Sequence, residues 1–339
     1  MNPIIFKIPS VDSITLDKNS IYYTDRPSPK LLKYGFNDID NSLNIVELTK
    51  NSLYKKCLNF SKMDELEKRW KIKDAILESL SLWEIFKIFD LFGNESISVD
   101  NVDAINDIIT GYNTVSKKKI KPKIVVRDSK KKSKETYDIV IGKYAEIDLD
   151  ENGLVHNLLE ELPNLFSLQG KKSTMILQLF SIQTKIMVQL ITFLSTLYDT
   201  SYLIRPASSS DLSAEKFLVL KNLKKPFVFP VIDSGEMYVA NLTNVDIPDN
   251  LNVMIQCINA NLIPIHIESY NRIKNLLKDG NIEGDTDLKK EQEHNITYWI
   301  SNFVDSNKTE SKEYLNDMIQ DTSVKCQDAS FAINDPLGL

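Results

Sequence analysis

Ser173-Thr-Met-Ile-Leu-Gln-Leu-Phe-Ser-Ile-Gln-Thr-Lys-Ile-Met-Val-Gln-Leu-Ile-Thr-Phe-Leu-Ser-Thr-Leu-Tyr198 changes its period halfway along. Thr174 to Phe180 is a short apolar run that suits a strand buried on both faces, entered through a turn at Gly170. From Ile182 to Tyr198 apolar residues recur every fourth position (Ile182, Ile186, Leu190, Leu194), with Met187 and Ile191 beside them, so a helix with one broad apolar face is expected. Tyr202 to Arg205 reads as a second strand stopped by Pro206. Lys216 to Lys221 reads as a third, reached through a Ser-rich loop.

Within this stretch, Ile176-Leu-Gln178-Leu-Phe180, Arg205-Pro-Ala-Ser-Ser-Ser210 and Ser213-Ala-Glu215-Lys-Phe-Leu-Val219 follow one another in an order and spacing that resembles the C-terminal half of FtsJ-like ribose 2′-O-methyltransferases. The resemblance covers roughly fifty residues and implies a Rossmann-like α/β fold. Its expected form is a mixed sheet with a C-terminal antiparallel hairpin, helices on both faces, and added N- and C-terminal segments that are mainly helical. The expected division is an irregular region over 1–60, a core over 61–225, a helical extension over 226–304 and a polar tail over 305–339.

Around the core, Ser61 to Phe92 has helical spacing, as one helix or as two that meet near Lys73. Its Leu82-Trp-Glu-Ile85 run resembles the family's Lys-Leu-x-Glu-Ile, which aligns the first catalytic lysine with Ser81. Tyr137-Asp-Ile-Val-Ile-Gly142 resembles the strand that ends in the catalytic aspartate, here Gly142. Asn157 to Phe166 resembles the helix before the Gln178 strand. Pro248 to Leu277 is apolar at helical spacing with a break expected at Pro264, and Leu288 to Val304 is a further helix.

The resemblance implies a Lys-Asp-Lys-Glu tetrad, and carried over position by position it becomes Ser81, Gly142, Gln178 and Glu215. Only the glutamate remains. A glutamine amide cannot take a proton near neutral pH, which is what the second lysine is there to do. Lys143, Lys185, Glu146 and Asp148 stand nearby in sequence but off the expected positions. The family's glycine loop for S-adenosylmethionine is also missing. No two of the ten glycines lie closer than Gly280 and Gly284, so no Gly-x-Gly exists. Both losses imply a scaffold that binds without reacting and needs no cofactor, similar to the stimulatory subunit of poxvirus mRNA-capping enzymes and to FtsJ-like proteins of large DNA viruses.

Composition adds bounds. The 339 residues carry a formal net charge of −6, yet Lys117, Lys118, Lys119, Lys121, Lys123, Arg127, Lys130, Lys131, Lys132 and Lys134 crowd into one segment with a single Asp. That block suits RNA phosphates or an acidic protein partner, or else a solvated hairpin around Ile124-Val-Val126. Three scattered cysteines and three scattered histidines (His156, His266, His294) argue against a disulfide framework or a metal site. Neither a signal peptide at the N-terminus nor a membrane span is expected, because Gln178, Gln183, Lys185 and Gln189 interrupt the most apolar region. The reading is a cytoplasmic protein, in a viral factory or virion if viral, that stimulates or scaffolds a capping or methyltransferase subunit. The alternatives are an active S-adenosylmethionine-dependent RNA 2′-O-methyltransferase with a diverged site, and an RNA-binding or virion structural protein.

Overall fold

Successive side chains of a strand point to opposite faces, so a strand apolar at every position has to be covered on both sides. Met175, Leu177 and Leu179 enter one core with Leu218 and Leu220, while Ile176 enters a second with Phe217 and Val219. A computed structural model describes residues 3–12, 14–31, 45–61, 63–72, 76–127, 135–143, 151–230, 237–280, 282–305, 315–316 and 319.

The strands are β1 (Ile4–Lys7), β2 (Ile21–Thr24), β3 (Ser96–Val99), β4 (Lys123–Val126), β5 (Tyr137–Lys143), β6 (Gln169–Leu179), β7 (Tyr198–Arg205), β8 (Lys216–Leu223) and β9 (Tyr238–Leu242). Helices are α1 (Ile45–Thr49), α2 (Asp64–Trp70), α3 (Leu77–Ile88), α4 (Val102–Val115), α5 (Glu151–Ser167), α6 (Lys185–Thr196), α7 (Asp249–Asp279) and α8 (Thr286–Trp299), the last running into a π-turn over Ile300–Val304. Seven strands form one mixed sheet in the order β1-β7-β8-β6-β5-β3-β4, and β2 pairs with β9 in a separate ribbon. β4, β3, β5 and β6 are parallel; β8 runs antiparallel to both β6 and β7. Helices α5, α6 and the first half of α7 cover one face. α2, α3, α4 and α8 cover the other, so the architecture is a Rossmann-like α/β sandwich.

The quoted stretch folds as strand, helix and hairpin, with longer strands than its apolar runs indicated. Thr184 caps α6 by accepting the Met187 N–H, which starts that helix three residues after Ile182. The 61–92 pattern resolves into two helices, because Lys71 closes α2 in the left-handed conformation (φ 57°). The sheet also crosses the expected division at residue 60, since Ile4 to Lys7 pair with Tyr202 to Arg205.

Two expectations are corrected. Pro264 does not break the helix: α7 continues from Asp249 to Asp279. Its missing N–H and ring clash cost about 3 kcal/mol in a helix interior, and Leu251, Ile255, Ile258, Leu262, Tyr270 and Ile273, buried on either side, hold the helix together across it. Ile124-Val-Val126 is also no hairpin, because it pairs in parallel with β3 at the sheet edge. The positions 128–134, 144–150 and most of 305–339 lie outside the described residues, though Leu315 and Ile319 pack against the second core.

Three tryptophans anchor that core. Trp70 lies 4.5 Å from Trp83 and 6.0 Å from Trp299, ring centre to ring centre, and all three are buried. Gly111 of α4 lets the Trp70 ring approach, for a Cβ there would sit 2.6 Å from it. Alanine gains about 1 kcal/mol of helix propensity over glycine but overpacking costs about 1–3 kcal/mol. Gly111→Ala is therefore expected to lower stability in urea titration, and a stabilised variant would show that the indole yields.

Candidate functional site at the carboxyl ends of the strands

In open α/β sheets ligands bind beyond the carboxyl ends of the strands, where the chain switches from one side of the sheet to the other. Here the switch lies between β3 and β5: the chain leaves β3 for β4 at the edge, then returns across β3 to build β5 and β6. Asp100, just past β3, and Lys143, at the end of β5, flank it.

That crevice holds a charge network. Arg127, just past β4, donates Nε and an amino N–H to the two Asp100 oxygens, each at 2.7 Å, and its other amino group to Glu161 of α5 at 2.8 Å. Its side chain is only 6% exposed, so removing either acid would leave a charge in a largely desolvated place without its partner. The guanidinium is thereby committed within the chain, and Arg127 leaves the set of cations offered to RNA or a partner. Lys143 ion-pairs with Glu78 of α3 at 3.1 Å, and Asn101 donates to the same Glu78 oxygen at 3.0 Å.

Of the four tetrad positions, three share one side of the sheet and are nearly joined. Gln178, buried on β6, donates its amide to Glu215. Ser209 donates to the other Glu215 oxygen at 2.8 Å, and Ser81 on α3 lies 3.3 Å from the hydroxyl of Ser208. Gly142 is the exception. Strand register sets it beside Leu177 and sets Lys143 beside Gln178, so Lys143 shares the face of Gln178 and Gly142 does not. In a strand apolar on both faces, sequence alone does not mark which residue lies on the face of Gln178. Glu146 and Asp148 lie outside the described residues.

Burial raises the Glu215 carboxyl above the usual carboxylate range, opposed by the Ser209 and Gln178 hydrogen bonds and by the charge of Arg205. Arg205 is buried and threads the 206–215 loop, donating to the carbonyls of Ser210 (2.9 Å) and Ser213 (2.7 Å). Beneath the loop sits Glu84 of α3, fully buried. Its oxygens accept the Ala207 N–H at 2.7 Å, the Ser208 N–H at 2.9 Å and the Trp299 indole N–H at 2.7 Å. Burial pushes the Glu84 carboxyl up as well. Next to Glu215, Lys216 is fully buried and donates to the carbonyls of Ala214 (2.9 Å) and Phe180 (3.3 Å). Burial lowers its amine to about 7, helped by Arg205 and opposed by Glu151.

Glu84, Arg205 and Lys216 were missed as site residues from sequence. Their signal was there: a charge inside an otherwise apolar run, as in Leu82-Trp-Glu-Ile-Phe86, has to find buried partners. Elsewhere, Lys119 donates to the Asn113 and Ser116 carbonyls and Lys123 pairs with Glu135, while Lys117, Lys118 and Lys121 are exposed. Lys130, Lys131, Lys132 and Lys134 lie outside the described residues. His156 falls in the second turn of α5, 3.2 Å from Glu160, and Lys185 opens α6. Among the described residues no cluster of His, Cys, Asp and Glu is arranged to hold a metal, and no helix is long and apolar enough to cross a membrane.

No family model matches the chain. It is 36% identical over 347 residues to "Uncharacterized protein R383" of Acanthamoeba polyphaga mimivirus, a large DNA virus, with 97% of this chain and 98% of the relative covered. With similarity over nearly the whole of both chains, this chain belongs to the same family as the mimivirus protein R383.

Proposed function

We propose that the protein is a viral, catalytically inactive FtsJ-like methyltransferase-fold subunit that stimulates or scaffolds an mRNA-capping or RNA-methylating partner. The observation that carries this reading is the bond between Gln178 and Glu215: a neutral amide occupies the position where the resemblance calls for a proton-accepting amine. Two further features support it. The Arg127–Asp100–Glu161 bridge places protein side chains paired with one another beside the switch point. The strand order, with β8 antiparallel between β6 and β7, is the hairpin the resemblance implies.

The purified chain is expected to give no calorimetric heat with S-adenosylmethionine and no methyl transfer to capped RNA. Affinity capture from infected cells should recover a capping or methyltransferase subunit whose turnover rises when the chain is added back. Capture that yields no such subunit, or a subunit indifferent to the chain, would sink the proposal.

One observation favours a second reading, an active RNA 2′-O-methyltransferase with a diverged site. Lys143 supplies an amine on the face of Gln178 and Glu215, 42% exposed and tied only by its Glu78 pair among the contacts described. On that reading the proton-handling lysine has moved from β6 to β5. Methyl turnover by the chain alone, abolished by Lys143→Met and not by Lys185→Met, would establish it in place of the first.

A further inference from the structure

The segment from Lys117 to Lys123 is not an isolated basic patch. α4 runs down from the carboxyl end of β3, so the loop that follows it, and the start of β4, lie at the amino end of the parallel strands; the Lys123 N–H donates to the Glu95 carbonyl there at 2.7 Å. Lys171 and Lys172 open β6 at this same end, with Gln169 beside Tyr137 at the start of β5. β8 runs antiparallel to β6, so its end at Leu223, followed by Lys224 and Lys225, lies at this end of the sheet as well. Lys171, Lys172, Lys224 and Lys225 are all exposed.

The topology therefore gathers cations from three separate loops across β4, β3, β5, β6 and β8. Strands lie about 4.8 Å apart, so four steps spread them over roughly 19 Å. The acids at this end are Asp90, Glu95, Glu135, Asp138 and Asp199. Glu135 is paired with Lys123, and Asp138 accepts from the Glu95 and Ser96 N–H groups and the Ser96 hydroxyl. The end keeps an excess of positive charge in a chain whose net charge is −6.

We infer that the amino-terminal end of the sheet is a binding face for an RNA backbone, read by charge and not by sequence. The cations gathered here are all lysines, compact point charges that suit phosphates. Protein–protein interface cores are depleted in lysine and rich in aromatic residues and arginine, and neither is found among the exposed residues of these loops. This face lies at the opposite end of the strands from Gln178 and Glu215, so the inference stands or falls apart from the capping proposal.

The test is fluorescence anisotropy with a labelled uridine 20-mer from 50 to 300 mM salt. The intact chain should bind at low salt. Lys171→Gln, Lys172→Gln, Lys224→Gln and Lys225→Gln together should weaken binding at least tenfold at 100 mM salt and flatten the slope of log K against log salt by about 3, at about 0.7 per contact on a single strand. Lys224 also donates to the Thr196 carbonyl at 2.9 Å, so a second variant, Lys117→Gln with Lys118→Gln and Lys121→Gln, guards against a folding artefact and should flatten the slope by about 2. Lys289→Gln with Lys290→Gln on α8 should change nothing. No binding by the intact chain at 50 mM, an unchanged slope in both test variants, or displacement of RNA no easier with poly-uridine than with poly-glutamate would each overturn the inference.

Discussion

Replacing Glu84 by alanine is expected to destabilise the protein by about 3 kcal/mol or more, because each of several buried donors left without an acceptor costs about 1–3 kcal/mol. Four donors converge on this carboxyl: the N–H groups of Ala207 and Ser208, the Ser208 hydroxyl and the Trp299 indole. They come from distant parts of the chain, so the residue ties α3, the 206–215 loop and the end of α8 into one unit. Glu84→Gln keeps the volume and one acceptor oxygen but turns an amide NH₂ toward a donor, and should cost less than alanine does. Urea titration measures both. A loss below about 1 kcal/mol for alanine would mean that water replaces the carboxyl and that the loop does not depend on it. Hydrogen exchange at Ala207 and Ser208 supplies an independent reading, since those amides should lose protection first.

Lys216→Met should remove a pH dependence and raise stability at neutral pH. The folded-state amine titrates near 7, below its ordinary value of 10.5. Between those two values the unfolded chain binds a proton that the folded chain has released, so this residue makes stability rise with pH across the window. The slope it contributes reaches about 1.4 kcal/mol per pH unit. Below pH 7 both states are protonated and the full burial penalty applies. Methionine fills a similar volume without charge, so the variant should exceed the parent most at pH 6 to 7, and the difference should shrink towards pH 10. A constant difference between parent and variant across that range would show that Lys216 is hydrated in the folded state.

Much of the core was legible because its elements carry their own period. Ile186, Leu190 and Leu194 announce α6, and Thr174 to Leu179 announces most of β6. What was not legible depends on pairing across the chain. Gln169 to Ser173 has no apolar alternation, yet it extends β6 because Tyr137 lies beside Gln169 beyond a register shift. Nor does composition mark, in a strand apolar on both sides, that Lys143 and not Gly142 meets Gln178. At the site, the sequence showed what was lacking, a lysine and a glycine turn. It did not show what stands there instead, because Arg127, Asp100 and Glu161 come from three elements that only the sheet brings together.

The edge strand β1 has a consequence for how the chain matures. Ile4 pairs with Arg205, so the strand is synthesised about two hundred residues before its mate, a wait of some ten to forty seconds at ribosomal rates of roughly 5–20 residues per second. During that interval Ile5 and Phe6, each destined for a different side of the sheet, have nothing to rest against. Closing so long a loop comes late in assembly, and until it happens β7 presents an unpaired flank to neighbouring nascent chains, an invitation to intermolecular strand exchange in a crowded translation site.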